Sequence, residues 1–227
     1  MAVNYNPKII TDNLVLCVDA ANTKSYGGSG TTWTDLSGKG NNGTIINATF
    51  NSDGYFAFDG SGDYVTTGNT LPDADELFAD TGTAWSVSSW FNVAFINFFD
   101  KAVTGRGGGI GAAAVYAVWV DQANLRVRLR GGTITNISTS IADDTWYNVA
   151  VTWDGSTARG YLNGQFITTL AVGTASNQTE TFTIGATDGG AQTGMIGGIS
   201  QTLAYNRALT ASEVAQNFNA LRGRFGI

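Results

Sequence analysis

The most informative stretch of the sequence is Trp146-Tyr147-Asn148-Val149-Ala150-Val151-Thr152-Trp153-Asp154-Gly155. From its second residue on, every other position carries a large side chain, which is the period-two pattern of a strand with one buried face. The closing Asp-Gly dipeptide, like Asn163-Gly164 further on, tolerates positive φ and favours a hairpin turn. The sequence therefore predicts a three-stranded meander over about Trp146–Leu170.

Other apolar or alternating segments, bounded by turn-forming residues, also predict strands. They are Asn13–Asp19, Tyr55–Phe58, Tyr64–Thr67, Ser86–Val93, Val115–Val120, Leu125–Arg130, Phe182–Ile184 and Ile196–Tyr205. Gly is abundant at 30 residues and Pro is rare at 2, which suits short strands joined by tight turns. No repeat or linker divides the chain, so we expect one all-β domain over residues 1–227, a sandwich or a barrel.

The end of the chain has a different pattern. Thr210-Ala211-Ser212-Glu213 has the spacing of a capping box, in which the Thr and Glu side chains each bond the other residue's backbone amide. Val214, Phe218 and Leu221 then recur on one helical face. We expect a short C-terminal helix that docks on the sheets and ends near Gly223.

Charge and apolar content limit the partners of the chain. The net charge is −6 at pH 7 and the pI is about 4.4, so the chain repels phosphate backbones and we expect no nucleic-acid partner. No stretch approaches the length of a transmembrane helix, so we expect no membrane insertion. The polar segment Met1–Pro7 lacks the features of a signal peptide, which predicts synthesis in the cytoplasm. The single cysteine, Cys17, lies in an apolar run and is predicted to be a small buried hydrophobe.

Residue usage also argues against catalysis. Histidine is absent, which removes Ser-His-Asp and Cys-His nucleophilic sites and the usual zinc sites. Glycoside hydrolases place two carboxyl groups about the scissile bond, and no strand here carries acidic residues at alternate positions. We therefore expect a binding protein, with a polysaccharide-degrading enzyme as the less favoured alternative.

Four segments resemble the laminin-G-like, concanavalin A-like lectin family, in their order as well as in their residues. They are Trp33–Thr44, Phe56–Val65, Trp146–Trp153 followed by Tyr161–Gly164, and Ala204–Thr210 followed by Glu213. The resemblance extends from about Asn13 to Gly226. It implies a jelly-roll sandwich of two antiparallel sheets, one of them concave, with binding loops at the rim and a short C-terminal helix.

The same resemblance implies a function. Members of the family mostly bind glycans or proteins, some accompany hydrolases, and compact versions resemble structural or adhesion proteins of tailed bacteriophages. The implied protein is a non-catalytic component of a virion, either a capsid decoration or part of a tail fibre, made in the host cytoplasm. Its expected partners are glycans or other virion proteins, with homo-oligomer formation as a further option. The alternative is a free-standing carbohydrate-binding module.

A loop rich in Gly and Asn covers Asp35–Gly43. Asp35, Asn41 and Asn42 are candidate ligand-binding residues, because carboxylate and amide groups suit sugar hydroxyls or a cation. The structural alternative is that Gly and Asn form turns and that Asp35 caps one of them.

A second candidate loop is Asp59-Gly60-Ser61-Gly62-Asp63, which brings two carboxylates together as a calcium loop does. Calcium takes roughly six to eight oxygen ligands, so Asp59 and Asp63 are candidate metal ligands. The alternative is a tight turn after a strand. Many calcium-bearing relatives have an Asp in the late strand where this chain has Ser200-Gln201, so calcium is a candidate and no cofactor is certain.

Three arginines, Arg126, Arg128 and Arg130, alternate with apolar residues and are predicted to line the open face of one strand. Their guanidinium groups suit acidic sugars, phosphates or an acidic partner. The alternative is a solvated face whose charge protects the sheet. Aromatic residues in strand patterns are expected in the core, and this holds for Trp119. Because it alternates with two valines, Trp119 is also a candidate ligand-binding residue exposed on the concave sheet, where an indole stacks on a sugar.

Overall fold

The computed structural model describes residues 7–67, 83–94, 100–107, 109–112, 114–174, 181–187 and 194–227. Over these ranges the chain forms two sheets of antiparallel strands, followed by a short helix near the C-terminus. This arrangement confirms the predicted two-sheet jelly-roll sandwich.

The elements of the described ranges have the following bounds. The strands are β1 Leu14–Asp19, β2 Thr32–Trp33, β3 Gly43–Ile46, β4 Thr49–Asn51, β5 Tyr55–Asp59, β6 Tyr64–Thr66, β7 Trp85–Val93, β8 Lys101–Arg106, β9 Tyr116–Asp121, β10 Asn124–Leu129, β11 Thr135–Ser138, β12 Tyr147–Trp153, β13 Ala158–Leu162, β14 Gln165–Leu170, β15 Phe182–Ile184 and β16 Ile196–Tyr205. The helix α1 is Ala211–Leu221, and a single 3-10 turn, Arg222–Arg224, follows it.

The strands divide between two sheets of eight. Sheet I has the order β14-β13-β12-β7-β16-β5-β4, and β1 joins it by pairing with the second half of β16. Sheet II has the order β11-β10-β9-β8-β15-β6-β3-β2. The long strands β7 and β16 therefore form the centre of sheet I, and they determine what lies on each of its faces.

The main core lies between the sheets. Val149 and Val151 of β12 are buried in it, and Tyr147 and Trp153 pack against it, as the alternation of that strand predicts. In sheet II the apolar residues of β10 alternate into the same core, and its arginines are only partly buried. The period-two signal of these strands therefore reports the face that the sandwich buries.

The outer face of sheet I carries a second apolar cluster, which α1 covers. Its buried members are Leu14, Cys17, Ala150, Tyr161, Leu203, Tyr205, Leu209 and Val214. The helix begins with the predicted capping box, since Thr210 accepts the amide of Glu213 and the Glu213 carboxylate accepts the amide of Thr210. Asn217 anchors the helix further, accepting the amide of Ile10 at 2.8 Å and donating to the Tyr205 hydroxyl at 3.0 Å.

Cys17 is buried in this outer cluster, as predicted. Burial, with smaller contributions from the carboxylates of Asp19 and Asp35, raises the pKa of its thiol to about 12. The thiol is therefore protonated and inert at neutral pH. Among the helices that the structure describes, none combines the length and the apolar character needed to cross a bilayer.

Candidate functional site

Asp35 organises the Gly- and Asn-rich loop from a buried position. One carboxylate oxygen accepts the amides of Cys17 at 2.8 Å and Ser37 at 2.9 Å, and the other accepts the Ser37 hydroxyl at 2.6 Å and the Asn41 amide at 3.0 Å. Because a carboxylate offers about four acceptor positions, these bonds use its full capacity. The alternative that Asp35 caps a turn is confirmed, and its contact with a ligand stays an untested prediction.

The two asparagines of this loop differ in exposure. Asn41 is buried, and its amide donates to the Val15 carbonyl at 2.7 Å. Asn42 is exposed, and its side-chain oxygen accepts the amide of Asp35 at 2.9 Å. The loop is therefore fixed from inside, and among these candidates only Asn42 presents its side chain to solvent.

Trp119 does not lie on an open surface, which corrects its predicted exposure. The indole is 0% exposed and packs with Ala114, Ala117 and Ile110, on the face of sheet II that points away from the main core. Because Trp119 alternates with its neighbours, its side chain lies on the opposite face of sheet II from the main core, and residues from other parts of the chain cover it there. A sugar has no access to the ring in this arrangement.

Arg126 and Arg128 lie on one face of β10 and both have intramolecular partners. Arg126 pairs with the Asp121 carboxylate, and the two side chains are 28% and 25% exposed. Arg128 donates to the carbonyls of Gly132 at 2.8 Å and Ile110 at 3.0 Å. Arg126 thus joins β10 to β9, and Arg128 holds two loops of sheet II. Both guanidinium groups already have partners in the fold, and their contact with an anionic ligand stays an untested prediction.

Arg130 lies outside the predicted row of arginines. Strand β10 ends at Leu129, and Arg130 takes the left-handed φ of 49° in the turn that follows. Its amide bonds the Val115 carbonyl at 2.8 Å, and the next amide, of Gly131, bonds Ala114 at 2.8 Å. The strand therefore ends one residue before the predicted row of three arginines does, and Arg130 belongs to the turn that follows it.

The Asp59–Asp63 segment forms the predicted tight turn at the end of β5. The Asp59 carboxylate accepts the Ser61 amide at 2.8 Å, and the Asp63 carboxylate accepts the Asp59 amide at 2.8 Å. Gly60 and Gly62 take φ values of 88° and 74°, which side chains other than Gly rarely adopt. The turn therefore fixes both carboxylates on one short segment.

A cavity of about 370 Å³ opens beside this turn. Its lining is mostly polar and comprises Asn47, Thr49, Ala57, Phe58, Asp59, Ser61 and Asp63. Asn47 joins the two sides of the cavity, since its amide donates to the Gly62 carbonyl at 3.1 Å. We call this cavity the rim cavity. Its volume falls in the range of small-ligand sites.

The two carboxyl groups of the rim cavity differ in environment. Asp59 is exposed, whereas Asp63 is buried. Burial raises the pKa of Asp63 above its usual value, the Asp59 carboxylate raises it further, and the hydrogen bond from the Asp59 amide opposes the rise. The Asp59 carboxylate is therefore the more accessible acceptor for a ligand.

The rim cavity does not have the donor set of a calcium site. Calcium takes roughly six to eight oxygen ligands, whereas the rim cavity offers two carboxylates, one of which is buried and accepts the Asp59 amide. No group of three or more His, Cys, Asp or Glu side chains comes together anywhere in the described ranges. The residues present therefore do not fit a calcium ion.

Asn47 and Thr49 belong to the rim cavity, and the sequence analysis missed them. They lie where β3 passes into β4, and Asn47 has a left-handed φ of 58°. Asn in a short connection predicts a turn, which is a weak signal. The pairing of β3 with β6 brings Asn47 to the Asp59 turn, and the pairing of β4 with β5 brings Thr49 there.

The family is shown by the sequence. The family model of the concanavalin A-like lectin/glucanases superfamily, in its laminin G form, matches residues 59–215, which is more than half of the chain. The chain therefore belongs to this superfamily. No curated protein sequence matches it.

Solved structures agree on the fold. A Trypanosoma rangeli sialidase superposes with a TM-score of 0.72 and 17% identity over 95% of this chain and 34% of the sialidase. The same sialidase in complex with sialic acid superposes with a TM-score of 0.72 and 15% identity, over 97% of this chain and 36% of the sialidase. A structure of botulinum neurotoxin type C, whose cell entry depends on interaction with two ganglioside molecules, superposes with a TM-score of 0.63 and 17% identity. The match covers 93% of this chain and 52% of the toxin chain. The chain thus spans about a third of the sialidases and about half of the toxin chain.

Proposed function

We propose that this protein is a non-catalytic carbohydrate-binding domain whose saccharide site is the rim cavity. The observation that carries the proposal is the polar cavity itself, in which an exposed carboxylate, an amide and hydroxyl groups meet at a rigid turn. Sugar recognition needs such a set, because each hydroxyl both donates and accepts a hydrogen bond.

Each polar group of the cavity has a defined role in this proposal. The Asp59 carboxylate accepts from sugar hydroxyls, with the acceptor positions that the Ser61 amide and the Asp63 side chain leave open. Thr49 and Ser61 are exposed and supply hydroxyl groups that donate or accept. Asp63 holds the turn through the Asp59 amide and so positions its neighbour.

The structural neighbours support the class of ligand. One neighbour is a sialidase in complex with sialic acid, and another is a toxin that depends on gangliosides. The identities are 15–17%, so these structures share the fold and supply a precedent for sugar ligands. The choice of sugar in this chain follows from its own cavity.

The non-catalytic part of the proposal rests on the placement of the carboxyl groups. Asp59 and Asp63 belong to one tight turn, on the same side of the rim cavity. Hydrolysis of a glycosidic bond needs an acid on one side of that bond and a nucleophile or base on the other. The chain also contains no histidine to replace either group.

The proposed setting is a phage particle, where the domain serves as an adhesion or structural protein of the capsid surface or tail fibre. Its support is the resemblance of the sequence to compact proteins of that kind. Mass spectrometry of purified particles tests it, with a fixed copy number per particle as the expected result. Recovery of the protein only from the particle-free fraction would indicate a free-standing carbohydrate-binding module.

The saccharide site is tested on a glycan array, followed by calorimetry with the best glycan. Asp59→Asn is expected to weaken binding by about tenfold, which is the loss of one or two charged hydrogen bonds. Asp53→Asn is the matched control, because Asp53 is also an exposed loop Asp but lies at the other end of β5. Equal binding by both variants, or turnover of the glycan, would contradict the proposal.

A further inference from the structure

The C-terminal tail, Arg222–Ile227, lies against an aromatic groove on the outer face of sheet I. The Phe225 ring stacks on Trp90, with centroids 4.2 Å apart and planes at 18°. It also packs on Trp146 at 4.7 Å and 40°. Phe225 is therefore held between two tryptophans, one in β7 and one immediately before β12.

Further aromatic and polar groups complete the groove. Tyr55 packs edge-on against Trp146 at 5.4 Å. At the polar end of the groove, the carboxylate of Asp19 accepts hydrogen bonds from both terminal nitrogens of Arg224, at 2.8 and 3.0 Å. Gln201 donates to the same carboxylate at 3.4 Å. We call this set, Asp19, Tyr55, Trp90, Trp146 and Gln201, the tail groove.

The tail is attached mainly through two side chains. The amides of Phe225 and Ile227 bond the carbonyl of Arg222, which lies within the tail itself. A Cβ built on Gly223 or Gly226 would meet no atom within 4 Å, so the tail backbone is not closely packed. The ring of Phe225 and the guanidinium of Arg224 therefore account for its hold on the sheet.

The helix that precedes the tail has its own anchors. Val214 is buried, and Asn217 bonds both Ile10 and Tyr205. The pair between Arg207 and Glu213 fixes the start of the helix. Release of the tail would therefore leave α1 in place, with its Phe218 still stacked on Trp90 at 5.4 Å, and would uncover the surface of the two tryptophans that Phe225 now covers.

We propose that the tail groove is a second saccharide-binding site, which the chain's own tail occupies as an internal competitor. Two indole faces with a carboxylate and an amide at one end match the apolar ring face and the hydroxyls of a hexopyranose. The Phe225 ring lies where the sugar ring would stack on the indoles. Arg224 donates to the Asp19 carboxylate, which would otherwise accept hydrogen bonds from the sugar hydroxyls. The negative charge of Asp19 selects neutral sugars over acidic ones.

The proposal of a second site in the tail groove depends on the proposed function in one respect, which is that the ligand is a saccharide. It shares no residue with the rim cavity, so either site is able to fail alone. Occupancy by the tail lowers the fraction of molecules able to bind sugar, and the apparent affinity falls by the same factor. Removal of the tail is therefore expected to raise affinity for the tail groove without affecting the rim cavity.

The test compares the full chain with a chain that ends at Leu221, using neutral hexasaccharides of glucose, mannose and galactose. Binding is followed by calorimetry and by tryptophan fluorescence, which reports on Trp90 and Trp146. The shortened chain is expected to bind one of the three at least about tenfold more tightly than the full chain. A folded shortened chain with unchanged affinity for all three would overturn the proposal.

Three variants make the result specific. In the full chain, the double variant Phe225→Ala with Arg224→Ala is expected to reproduce the gain in saccharide affinity. This variant replaces the shortened chain in the test if the shortened chain fails to fold. Arg222→Ala is the matched control, because Arg222 is an exposed tail arginine whose side chain makes none of the groove contacts described. In the shortened chain Asp19→Asn should remove the gain, whereas Asp59→Asn should leave it intact. A gain that persists with Asp19→Asn, or that follows only from a change of oligomeric state, would count against the site.

Discussion

The guanidinium of Arg207 and the carboxylate of Glu213 form a two-bond ion pair, with N–O distances of 2.9 and 2.7 Å. This pair joins the end of β16 to the first turn of α1, and Glu213 is also the second member of the capping box. The hydrogen bonds from Arg207 are the main reason that the pKa of Glu213 falls to about 2. The helix is therefore tied to sheet I by a charge that is ionised over the whole neutral range.

Glu213→Gln is expected to lower the free energy of unfolding by about 1–2 kcal/mol at pH 7, through loss of the pair and of part of the cap. Because the folded pKa lies below the unfolded one, this stabilisation is complete above about pH 4.5 and is lost as the pH falls towards about 2. Urea unfolding at several pH values measures both effects. Ser212→Ala is the control, with a change below about 0.5 kcal/mol. A stability deficit of Glu213→Gln that does not shrink in acid would contradict the role of the charge.

Asp35→Asn is expected to destabilise the fold by roughly 2–4 kcal/mol. Each carboxylate oxygen accepts two donors, and an amide nitrogen in place of either oxygen would face at least one backbone N–H that it cannot accept, since only the Ser37 hydroxyl is able to turn to another acceptor. Thermal unfolding measures the loss, with Asp53→Asn expected to be nearly neutral. Glycan binding per folded molecule should be unchanged in Asp35→Asn. Weaker binding at full stability would return Asp35 to the ligand role predicted from the sequence.

The sequence predicts those parts of the fold in which a local pattern and burial coincide. Strands β15 and β16 have the expected bounds, although nearly all of their residues are buried and their burial shows no alternation. Strand β12 has the expected face, because its alternation of large side chains records which face the sandwich buries. Strand β8 carries no such record. It is buried along its whole length although it includes Lys101 and Arg106, so its burial depends on packing between distant segments. The short strands β2 and β4 have two and three residues, too few for a pattern.

The candidate sites show the same division. The Asp59 turn is visible in the sequence because its Asp and Gly residues lie close together, whereas Asn47 reaches the cavity only through strand pairing. Trp119 is buried, as expected of a strand tryptophan, and the binding role considered for it is wrong because alternation fixes the face of a residue but not what covers that face. The groove around Trp90 is invisible for the same reason, since its partner Phe225 lies at the far end of the chain.

Gly185→Ala is expected to destabilise the protein by roughly 2–4 kcal/mol, because two costs add. The residue has a φ of 81°, which disfavours Ala, and a Cβ there would lie 2.4 Å from a ring carbon of the buried Phe58. Gly38→Ala separates the two costs, since Gly38 has a φ of 84° but open space around its Cβ. Its expected cost is about 1 kcal/mol. Equal losses in the two variants, measured by denaturant unfolding, would show that the contact with Phe58 relaxes.

Asp63→Asn is expected to behave in the opposite way to Asp35→Asn. Burial raises the pKa of Asp63 in the folded chain, so its ionisation opposes folding, and that cost appears as the pH rises through the unfolded and then the folded pKa. The Asn side chain keeps an oxygen for the Asp59 amide without carrying the charge. The variant should therefore equal or exceed the unchanged chain in melting temperature at pH 7, and this difference should vanish in acid. A melting temperature that falls at pH 7 would mean that the ionised carboxylate supports the turn, and Asp63 would then join Asp59 as a candidate acceptor for sugar hydroxyls.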